Sequence, residues 1–324
     1  MYKSNTHTHL MTLSISMWNI QGLNSKAFGL KSSNTDFQKS IKEMDIIILQ
    51  ETWSRADAIT HCPPNYREII LPSQKLTTVR QGRDSGGQII WYKSKFHNHI
   101  NTVKHGKYYA WLKIHKELLP SRKDIFLCAI YIPPSESPYY SEDMFSTLEE
   151  ETNHFQAQGN VLICGDLNAR TGLQPDFTDA RGSKYINNKL TAINNTFSHI
   201  HRNNHDNIVN KNGKVLLQLC RSLGLNIING RLRGDTLGRF TFCSPLGNST
   251  VDYMITDIDP LDIDNVPLLF CTSVYPCFWF VRELRNALVV YFSSFTWLGY
   301  LVIKILFIST IMYILLNIYC IEYT

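Results

Sequence analysis

Four segments of the chain carry a polar or ionisable side chain at the point where an apolar run ends. They are centred on Asn19, Glu51, Tyr131 and Asp166. Rigid strands that end at the open edge of a sheet can hold oxygen ligands there, and carboxylate and amide oxygens suit Mg²⁺. These strand ends therefore predict a divalent-cation site that is assembled from distant parts of the chain.

The first two segments differ in how much they reveal. In WNIQG, Asn19 lies three residues before Gly22, a pattern that also fits an ordinary turn. In IIILQETW, four apolar residues indicate a buried strand before Gln50 and Glu51. A purely structural strand would not be expected to end on this pair, so Glu51 is the more informative residue.

The third and fourth segments lie at the ends of two further strands. In AIYIPP, two prolines stop a strand and leave Tyr131 free to face whatever lies above the sheet, although a tyrosine of the core fits the same pattern. In VLICGDLNARTG, Asp166 and Asn168 are two residues apart, so on an extended segment both face the same way. A carboxylate and an amide that converge can hold a water molecule or a metal ion.

In this order and spacing, the four segments resemble the endonuclease/exonuclease/phosphatase family, which includes apurinic endonucleases, DNase I-like nucleases and retrotransposon endonucleases. The resemblance covers about residues 13 to 258, and GDLNARTG, LQETW and SGGQIIWYKSKF are most similar to the endonuclease domains of non-LTR retrotransposons. It implies an α/β (α+β) fold of the DNase I type: a four-layer sandwich of two mixed β-sheets flanked by helices, truncated at its C-terminal edge.

The resemblance also implies a role for each polar residue. Glu51 would be the principal Mg²⁺ ligand with Asn19 beside it, and Mn²⁺ is an alternative metal. Tyr131 would lie against the scissile phosphate. Asp166 would orient or deprotonate the attacking water, and Asn168 would position the phosphate.

The last part of the family pattern is incomplete. Asp252, within STVDYMI, fits the aspartate that supports the catalytic histidine, and residues 239–242 resemble the aromatic segment that packs beside the bound strand. The family also requires a Ser-Asp-His sequence, but no histidine follows His205, so Asp252 would have no partner to hold. We therefore expect activity to be nearly or wholly lost, because removing a central catalytic residue costs several powers of ten in rate.

The hydrophobic pattern predicts the elements that position these residues. Short apolar runs alternate with polar stretches, as in a mixed α/β domain, and polar connections between residues 67 and 114 predict antiparallel pairing there. The predicted strands are Leu13–Ile20, Asp45–Gln50, Arg67–Leu71, Gln88–Tyr92, Ala110–His115, Ile125–Ile132, Asn160–Cys164, Leu225–Ile228 and Val251–Thr256. The predicted helices are Phe37–Glu43, Tyr139–Gln158 and Lys214–Leu223.

Composition divides the chain into three regions. Residues 1–10 are expected to be disordered, residues 11–262 form the predicted catalytic domain, and residues 263–324 form an apolar tail. Within the tail, residues 287–321 are a candidate transmembrane segment, although Lys304 would cost about 2.5 to 3.5 kcal/mol at the bilayer centre. A non-native read-through end, rich in residues that AT-rich noncoding DNA encodes, and a buried helix pair are the alternatives.

Charge and cysteine content constrain partners only weakly. The net charge of +5 favours a polyanionic partner, and DNA is the expected substrate. Basic residues between positions 75 and 107, with Trp91 and Tyr92 among them, fit either a nucleic-acid backbone or a solvated face. The eight cysteines form no C-x-x-C pair, so no local zinc or redox motif is present.

Two other functions remain open from the sequence. The first is a phosphatase of the same fold that acts on a phosphoinositide or a small phosphate ester. The second is a non-catalytic, membrane-anchored binding protein. No protein partner is predicted, and the expected location is the membrane if the tail is native and the nucleus or cytoplasm otherwise.

Overall fold

The computed structural model describes residues 13–25, 29–75, 84–119, 123–177, 201–231, 235–244 and 247–258. The described residues belong to the first of two units of the chain, residues 1–273. The expected disorder of residues 1–10, the apolar tail with its candidate span, and the proposed C-terminal truncation lie outside the described residues. Among the residues that are described, no helix is both long and apolar enough to cross a bilayer.

Strands provide most of the regular structure in the described ranges. In chain order they are β1 (Ile15–Asn19), β2 (Asn24–Ser25), β3 (Gly29–Leu30), β4 (Ile46–Gln50), β5 (Tyr66–Leu71), β6 (Gln88–Lys93), β7 (Ile100–His105), β8 (Tyr109–Ile114), β9 (Ile125–Tyr131), β10 (Asn160–Asp166), β11 (Asn226–Ile227), β12 (Phe242–Ser244), β13 (Gly247–Ser249) and β14 (Asp252–Thr256). The α-helices are α1 (Thr35–Ile41), α2 (Asp143–Gln156) and α3 (Lys211–Leu223).

Two mixed sheets form the centre of the fold. One has four strands in the order β1-β4-β6-β5, with β1 and β4 parallel and the other pairs antiparallel. The other has six strands in the order β11-β14-β10-β9-β8-β7, in which only β9 and β10 are parallel. The predicted antiparallel pairing between residues 67 and 114 is confirmed, but β6 and β7 belong to different sheets.

Successive side chains of a strand point to opposite faces of its sheet, so the apolar residues form three separate layers of core. Residues such as Ile48 and Leu162 face the space between the sheets, where they form the central core. The outer face of the six-stranded sheet packs against α2 and α3 through residues such as Ile163 and Leu216. The outer face of the four-stranded sheet is covered by α1 through Phe37. The predicted four-layer, DNase I-like α/β sandwich is confirmed.

Helix α3 begins earlier than its apolar spacing predicts. The side chain of Asn210 accepts a hydrogen bond from the backbone N–H of Gly213 at 2.7 Å, which caps the helix and adds a turn before Lys214. At the other end, Gly224 takes a left-handed conformation, with φ of +65°, and ends the helix. The cap therefore fixes where the helix starts, and the apolar face only fixes how it packs.

Strand β7 is the one strand of the two main sheets, within the described ranges, that the hydrophobic pattern does not predict; the short strands β2, β3, β12 and β13 of the two-stranded sheets are also not predicted. Five of its six residues are exposed, because it lies at the edge of the six-stranded sheet and carries a bulge near Val103. An edge strand that buries so little shows no alternating apolar pattern. His105 ends this strand and is exposed to solvent.

We predict that Gly165→Ala strongly destabilises the fold. Gly165 lies in β10, and a Cβ added there would be 1.8 Å from the carbonyl oxygen of Ile130 on the neighbouring strand. Because both strands are central, neither can move away, and we expect the free energy of unfolding to fall by about 3 kcal/mol. Denaturant unfolding measures this change.

Gly29→Ala is the matched control for that substitution. A Cβ at Gly29 would meet no atom within 4 Å, although its φ of +65° is unfavourable for alanine. We expect a loss of only about 1 kcal/mol from this conformational cost. Equal losses for the two variants would contradict the assigned close approach of β9 and β10.

Candidate active site

A row of polar residues crosses the six-stranded sheet at one end of the central core. Leu162 and Cys164 of β10 face the core, so Asp166, two residues further on, faces the same way. In the strand register Asp166 pairs with Tyr131 on one side and with Asp252 on the other. Three residues that are far apart in the sequence are therefore adjacent, and all three are buried.

A second polar row crosses the four-stranded sheet opposite the first. Asn19 ends β1, Gln50 ends β4 and Gln88 begins β6, and the register pairs them side by side. The residues two positions away on each strand, such as Met17 and Ile48, belong to the central core. The central core is therefore capped at this end by two polar rows that face each other.

Hydrogen bonds join the two rows directly. The side-chain amide of Asn19 donates to Oδ2 of Asp166 at 2.9 Å. The side chain of Gln50 donates to the carbonyl oxygen of Ile130 at 2.5 Å and accepts from the backbone N–H of Asp166 at 2.8 Å. The sequence-predicted residues Asn19, Asp166, Tyr131 and Asp252 are thus brought to one place, although they lie in different sheets.

Glu51 lies on a tight loop directly after β4. Its φ is +52°, a left-handed conformation that non-glycine residues rarely adopt. The indole N–H of Trp53 donates a hydrogen bond to Oε2 of Glu51, and the carbonyl oxygen of Glu51 accepts from the backbone N–H of Gly22 at 2.6 Å. A Cβ at Gly22 would lie 2.4 Å from the Trp53 ring, so only glycine allows this packing.

The carboxyl groups at this end of the core perturb one another. Burial, and then the charge of Asp252, raise the pKa of Asp166 well above its usual value, and Glu51 contributes in the same direction. Burial likewise raises the pKa of Asp252, against a side-chain hydrogen bond with Thr241 that lowers it. Glu51 is therefore close enough to act on Asp166 electrostatically. Ionising these carboxyl groups together is costly unless a positive charge lies near them.

The donor set fits a hard divalent cation. Within the ranges that the structure describes, no three Asp, Glu, His or Cys side chains form a cluster that could bind a metal ion by themselves. Mg²⁺ is usually bound through one or two carboxylates, with water and substrate phosphate completing the shell. Glu51, as a single carboxylate ligand, therefore fits this ion better than one that needs a closed protein cage.

Tyr131 and Asn168 occupy different positions at the rim. Tyr131 ends β9, and its ring lies beside Gly86, where an added Cβ would be 3.7 Å from Cδ1. Asn168 follows the end of β10 with a φ of +45°, so the extended segment predicted through it stops at Asp166. The backbone N–H of Asn168 donates to Oδ1 of Asp166 at 3.0 Å, while its side chain donates to the carbonyl oxygen of Ile132 at 2.9 Å.

Asp252 has a partner that the sequence does not indicate. Its backbone N–H donates to Oγ1 of Thr241 at 3.1 Å, and its carboxyl also bonds to this side chain. The side chain of Asn229 donates to the carbonyl oxygen of Asp252 at 3.0 Å and accepts from the N–H of Met254 at 3.0 Å. Asp252 is therefore held through both its backbone and its side chain.

A partly buried ion pair supports the loops that follow these strands. Arg170 makes two hydrogen bonds of 2.7 Å to the carboxylate of Asp206, whose side chain is only 1% exposed. The same carboxylate accepts from the backbone N–H groups of Ile208 and Thr250, both at 3.0 Å. The ion pair thus connects the segment after Asp166 to the segment before Asp252, and the motif GDLNARTG gave Arg170 no such role.

Three of the basic residues between positions 75 and 107 form ion pairs with acidic side chains. Lys93 and Lys95 lie 3.0 Å and 3.8 Å from Asp45, which precedes β4 at the end opposite Glu51. Lys104 lies 2.7 Å from Glu151 of α2. These ion pairs favour a structural role for the three side chains, while residues 80 and 83 lie outside the described residues.

The fold defines a class of protein, the DNase I-like α/β sandwich, and a comparison with family models identifies the family. The model of the endonuclease/exonuclease/phosphatase family matches residues 18–257, well over half of the chain. The chain therefore belongs to this family. A search of curated proteins found no significant match.

Solved structures with a similar course of the chain come from several nucleic-acid enzymes. An AP endonuclease, LMAP, from Leishmania major has a TM-score of 0.48 and 14% identity, over 74% of this chain and 77% of that one. A 3′-5′ exonuclease, NExo, from Neisseria meningitidis has a TM-score of 0.45 and 13% identity, over 75% of this chain and 86% of that one. A structure of the 3′ phosphatase NExo from Neisseria bound to a product DNA hairpin has the same score and identity, over 76% and 86%.

We predict that Asp252→Asn stabilises the metal-free protein at neutral and alkaline pH. Since burial raises the pKa of Asp252 and Asp166 above their unfolded values, the folded state loses stability as the pH rises through the raised pKa values. Removing one ionisable group relieves part of this loss. We expect the variant to exceed the wild type in free energy of unfolding by on the order of 1 kcal/mol at pH 8, and by less at pH 5.

Denaturant unfolding in the presence of a chelator measures this difference at the two pH values. Asp57→Asn, which changes an exposed carboxylate, is the control and should follow the wild type at both. Parallel pH profiles for the wild type and Asp252→Asn would show that the buried carboxyl groups do not interact as described.

Proposed function

We propose that the chain is a divalent-metal-dependent phosphodiesterase domain that acts on DNA, derived from the nicking endonuclease of a non-LTR retrotransposon. Mg²⁺ is the expected metal, and Mn²⁺ is an alternative. The observation that carries the proposal is the convergence of the Asn19 amide, the Asp166 and Asp252 carboxyl groups and the nearby Glu51 at one end of the central core. A purely structural domain gains nothing from burying carboxyl groups together, because their charges oppose one another.

In this proposal Glu51 holds the metal ion and Asn19 lies beside it. The ion, when bound, would neutralise negative charge on the phosphate as the phosphodiester bond is cleaved. The indole of Trp53 fixes the Glu51 carboxylate, so the ligand does not have to be ordered when the ion binds. Asn19 also donates to Asp166, which ties the metal side of the site to the side that handles the water.

Asp166 is the proposed group that orients or deprotonates the attacking water. Burial and neighbouring charge raise the pKa of this carboxyl, which makes its ionised form a stronger base than an exposed aspartate. Tyr131 lies next to Asp166 in the register and would face the scissile phosphate. Asn168 would position the phosphate from the rim, where its backbone is already bonded to Asp166.

DNA is preferred over a phosphoinositide as the substrate. The segments GDLNARTG, LQETW and SGGQIIWYKSKF are most similar to the retrotransposon branch of the family, and the net charge of +5 favours a polyanion.

We propose that the reaction is slow. The Ser-Asp-His sequence of the family has no counterpart after His205 in this chain, and Asp252 bonds to Thr241.

We predict that the purified full chain binds Mn²⁺ and slowly nicks supercoiled plasmid DNA in the presence of Mg²⁺ or Mn²⁺. Glu51→Gln should weaken Mn²⁺ binding by about 10-fold or more, since it replaces the carboxylate proposed as principal ligand. Both Glu51→Gln and Asp166→Asn should lower the nicking rate by about 100-fold or more. Electron paramagnetic resonance of free Mn²⁺ and a gel assay of nicked plasmid measure these effects.

Glu150→Gln is the matched control, since Glu150 is an exposed carboxylate on α2. It should leave metal binding and nicking unchanged. Nicking that survives Glu51→Gln would refute the assigned site, and a wild type that binds no divalent metal would refute the proposed activity. Release of phosphate from phosphoinositide vesicles, without nicking of DNA, would favour the phosphatase alternative instead.

A further inference from the structure

Both polar atoms of the Gln50 side chain form hydrogen bonds with the opposite sheet. Gln50 ends β4 in the four-stranded sheet and is fully buried. Its nitrogen donates to the carbonyl oxygen of Ile130 on β9, and its oxygen accepts from the backbone N–H of Asp166 on β10. One side chain therefore satisfies backbone groups on two neighbouring strands of the other sheet.

Gln88 supports Gln50 from the neighbouring strand. Its side-chain oxygen accepts from the Gln50 amide at 3.3 Å, and its nitrogen donates to the carbonyl oxygen of Tyr108 at 2.5 Å. That carbonyl oxygen also accepts from the backbone N–H of Tyr131 at 2.9 Å. The two amides are here called the glutamine pair. Together they form hydrogen bonds with backbone groups of β10, of β9 and of the residue just before β8, which are neighbouring strands of the six-stranded sheet.

The backbone groups that the glutamine pair holds belong to residues of the candidate site. The carbonyl of Ile130 is part of the peptide bond to Tyr131, and the held N–H is that of Asp166 itself. On the other side, Gln50 is joined covalently to Glu51. Gln50 is therefore bonded covalently to the proposed metal ligand and, through one hydrogen bond, to the backbone of the proposed base.

We propose that Gln50, supported by Gln88, is a positioning residue that fixes the distance between Glu51, directly after β4 of one sheet, and Asp166 on β10 of the other. This inference rests on the proposed function, because it assigns the separation a role in metal binding and catalysis. Apolar contacts alone are non-directional and allow two packed sheets to shift by small amounts. Hydrogen bonds to fixed backbone groups permit one arrangement, and a shift of about 1 Å is enough to impair a reaction strongly.

The position of the glutamine pair distinguishes this role from general support of the core. Further along β4 and β6, the inward-facing residues are apolar, as Ile48 and Ile90 show. Amides replace them only in the row that borders Glu51 and Asp166. Apolar residues are sufficient to pack the two sheets together elsewhere in the same interface, so packing alone does not require amides in this row.

Gln50→Met tests the proposal, because methionine fills a similar volume without hydrogen bonds. We expect the dissociation constant for Mn²⁺ to rise about 10-fold and kcat for plasmid nicking to fall about 10-fold or more, with KM changed less than about 2-fold. Gln88→Met, which leaves both bonds between Gln50 and the opposite sheet intact, should give a smaller change in the same direction. It also decides the question if Gln50→Met does not fold.

Thr256→Val is the matched control for loss of a buried hydrogen bond. The hydroxyl of Thr256 donates to the carbonyl oxygen of Val161 at 2.5 Å, at the opposite end of β10 from Asp166. It should lower the thermal midpoint of unfolding and leave the Mn²⁺ affinity and kcat unchanged. Metal affinity is measured on the full chain with Mn²⁺ alone, so a slow reaction does not prevent the measurement.

The outcomes separate this inference from the proposed function. If the wild type binds no Mn²⁺, both fail together. If the wild type binds Mn²⁺ while Gln50→Met and Gln88→Met bind it equally well, the glutamine pair only supports the fold and the inference alone is overturned. Weaker binding in both variants, together with unchanged binding in Thr256→Val, supports the positioning role.

Discussion

The arrangement of the site depends on the need of one buried amide for hydrogen-bond partners. A fully buried side-chain amide that lacks partners costs on the order of 1 to 3 kcal/mol, so Gln50 cannot be packed as if it were leucine. Its partners lie on the opposite sheet, in the peptide groups of β9 and β10. This requirement favours one offset between the sheets, and with it the placement of Asp166 opposite β4.

The same end of the core concentrates unfavourable terms. Asp166 and Asp252 are buried beside each other, and Glu51 and Asn168 have positive φ values of +52° and +45°. Each departure costs free energy, on the order of 1 kcal/mol or more for a strained residue. The rest of the fold offsets these costs through the long apolar strands β4, β9 and β10, whose inward residues are almost wholly buried. Strain and charge repulsion that cluster in one place are typical of a functional site.

The hydrophobic pattern predicted the central strands well because their apolar runs are long and their burial is nearly complete. Strand β9 was predicted as Ile125–Ile132 and is Ile125–Tyr131, since burial on both faces leaves a continuous apolar run. Strand β7 was missed for the opposite reason, as an exposed edge strand has no apolar periodicity. The prediction that the extended segment continues through Asn168 was also wrong, because the residue types do not reveal the left-handed conformation of Asn168.

The contacts across the two sheets lie beyond what local pattern can reveal. Gln50 and Asp166 are separated by 116 positions, and nothing in the spacing of either motif states that one side chain reaches the other backbone. The family resemblance assigned catalytic roles to Asn19, Glu51 and Asp166, but it assigned none to Gln50 or Gln88. Sequence therefore gives the members of a site more readily than the groups that hold them apart at a fixed distance.

The two sheets contribute to the site in different ways. Asn19, Gln50 and Gln88 lie within strands of one sheet, so their positions follow directly from the register. The segments directly after Asp166 and directly before Asp252 are not part of the six-stranded sheet. There the Arg170–Asp206 ion pair holds the chain, because the Asp206 carboxylate also binds the backbone N–H of Thr250. Because a carboxylate with two guanidinium bonds and two backbone bonds has all its acceptor capacity occupied, it fixes a loop nearly as firmly as a strand ladder would. The chain thus obtains a rigid rim on a side where its strands have already ended.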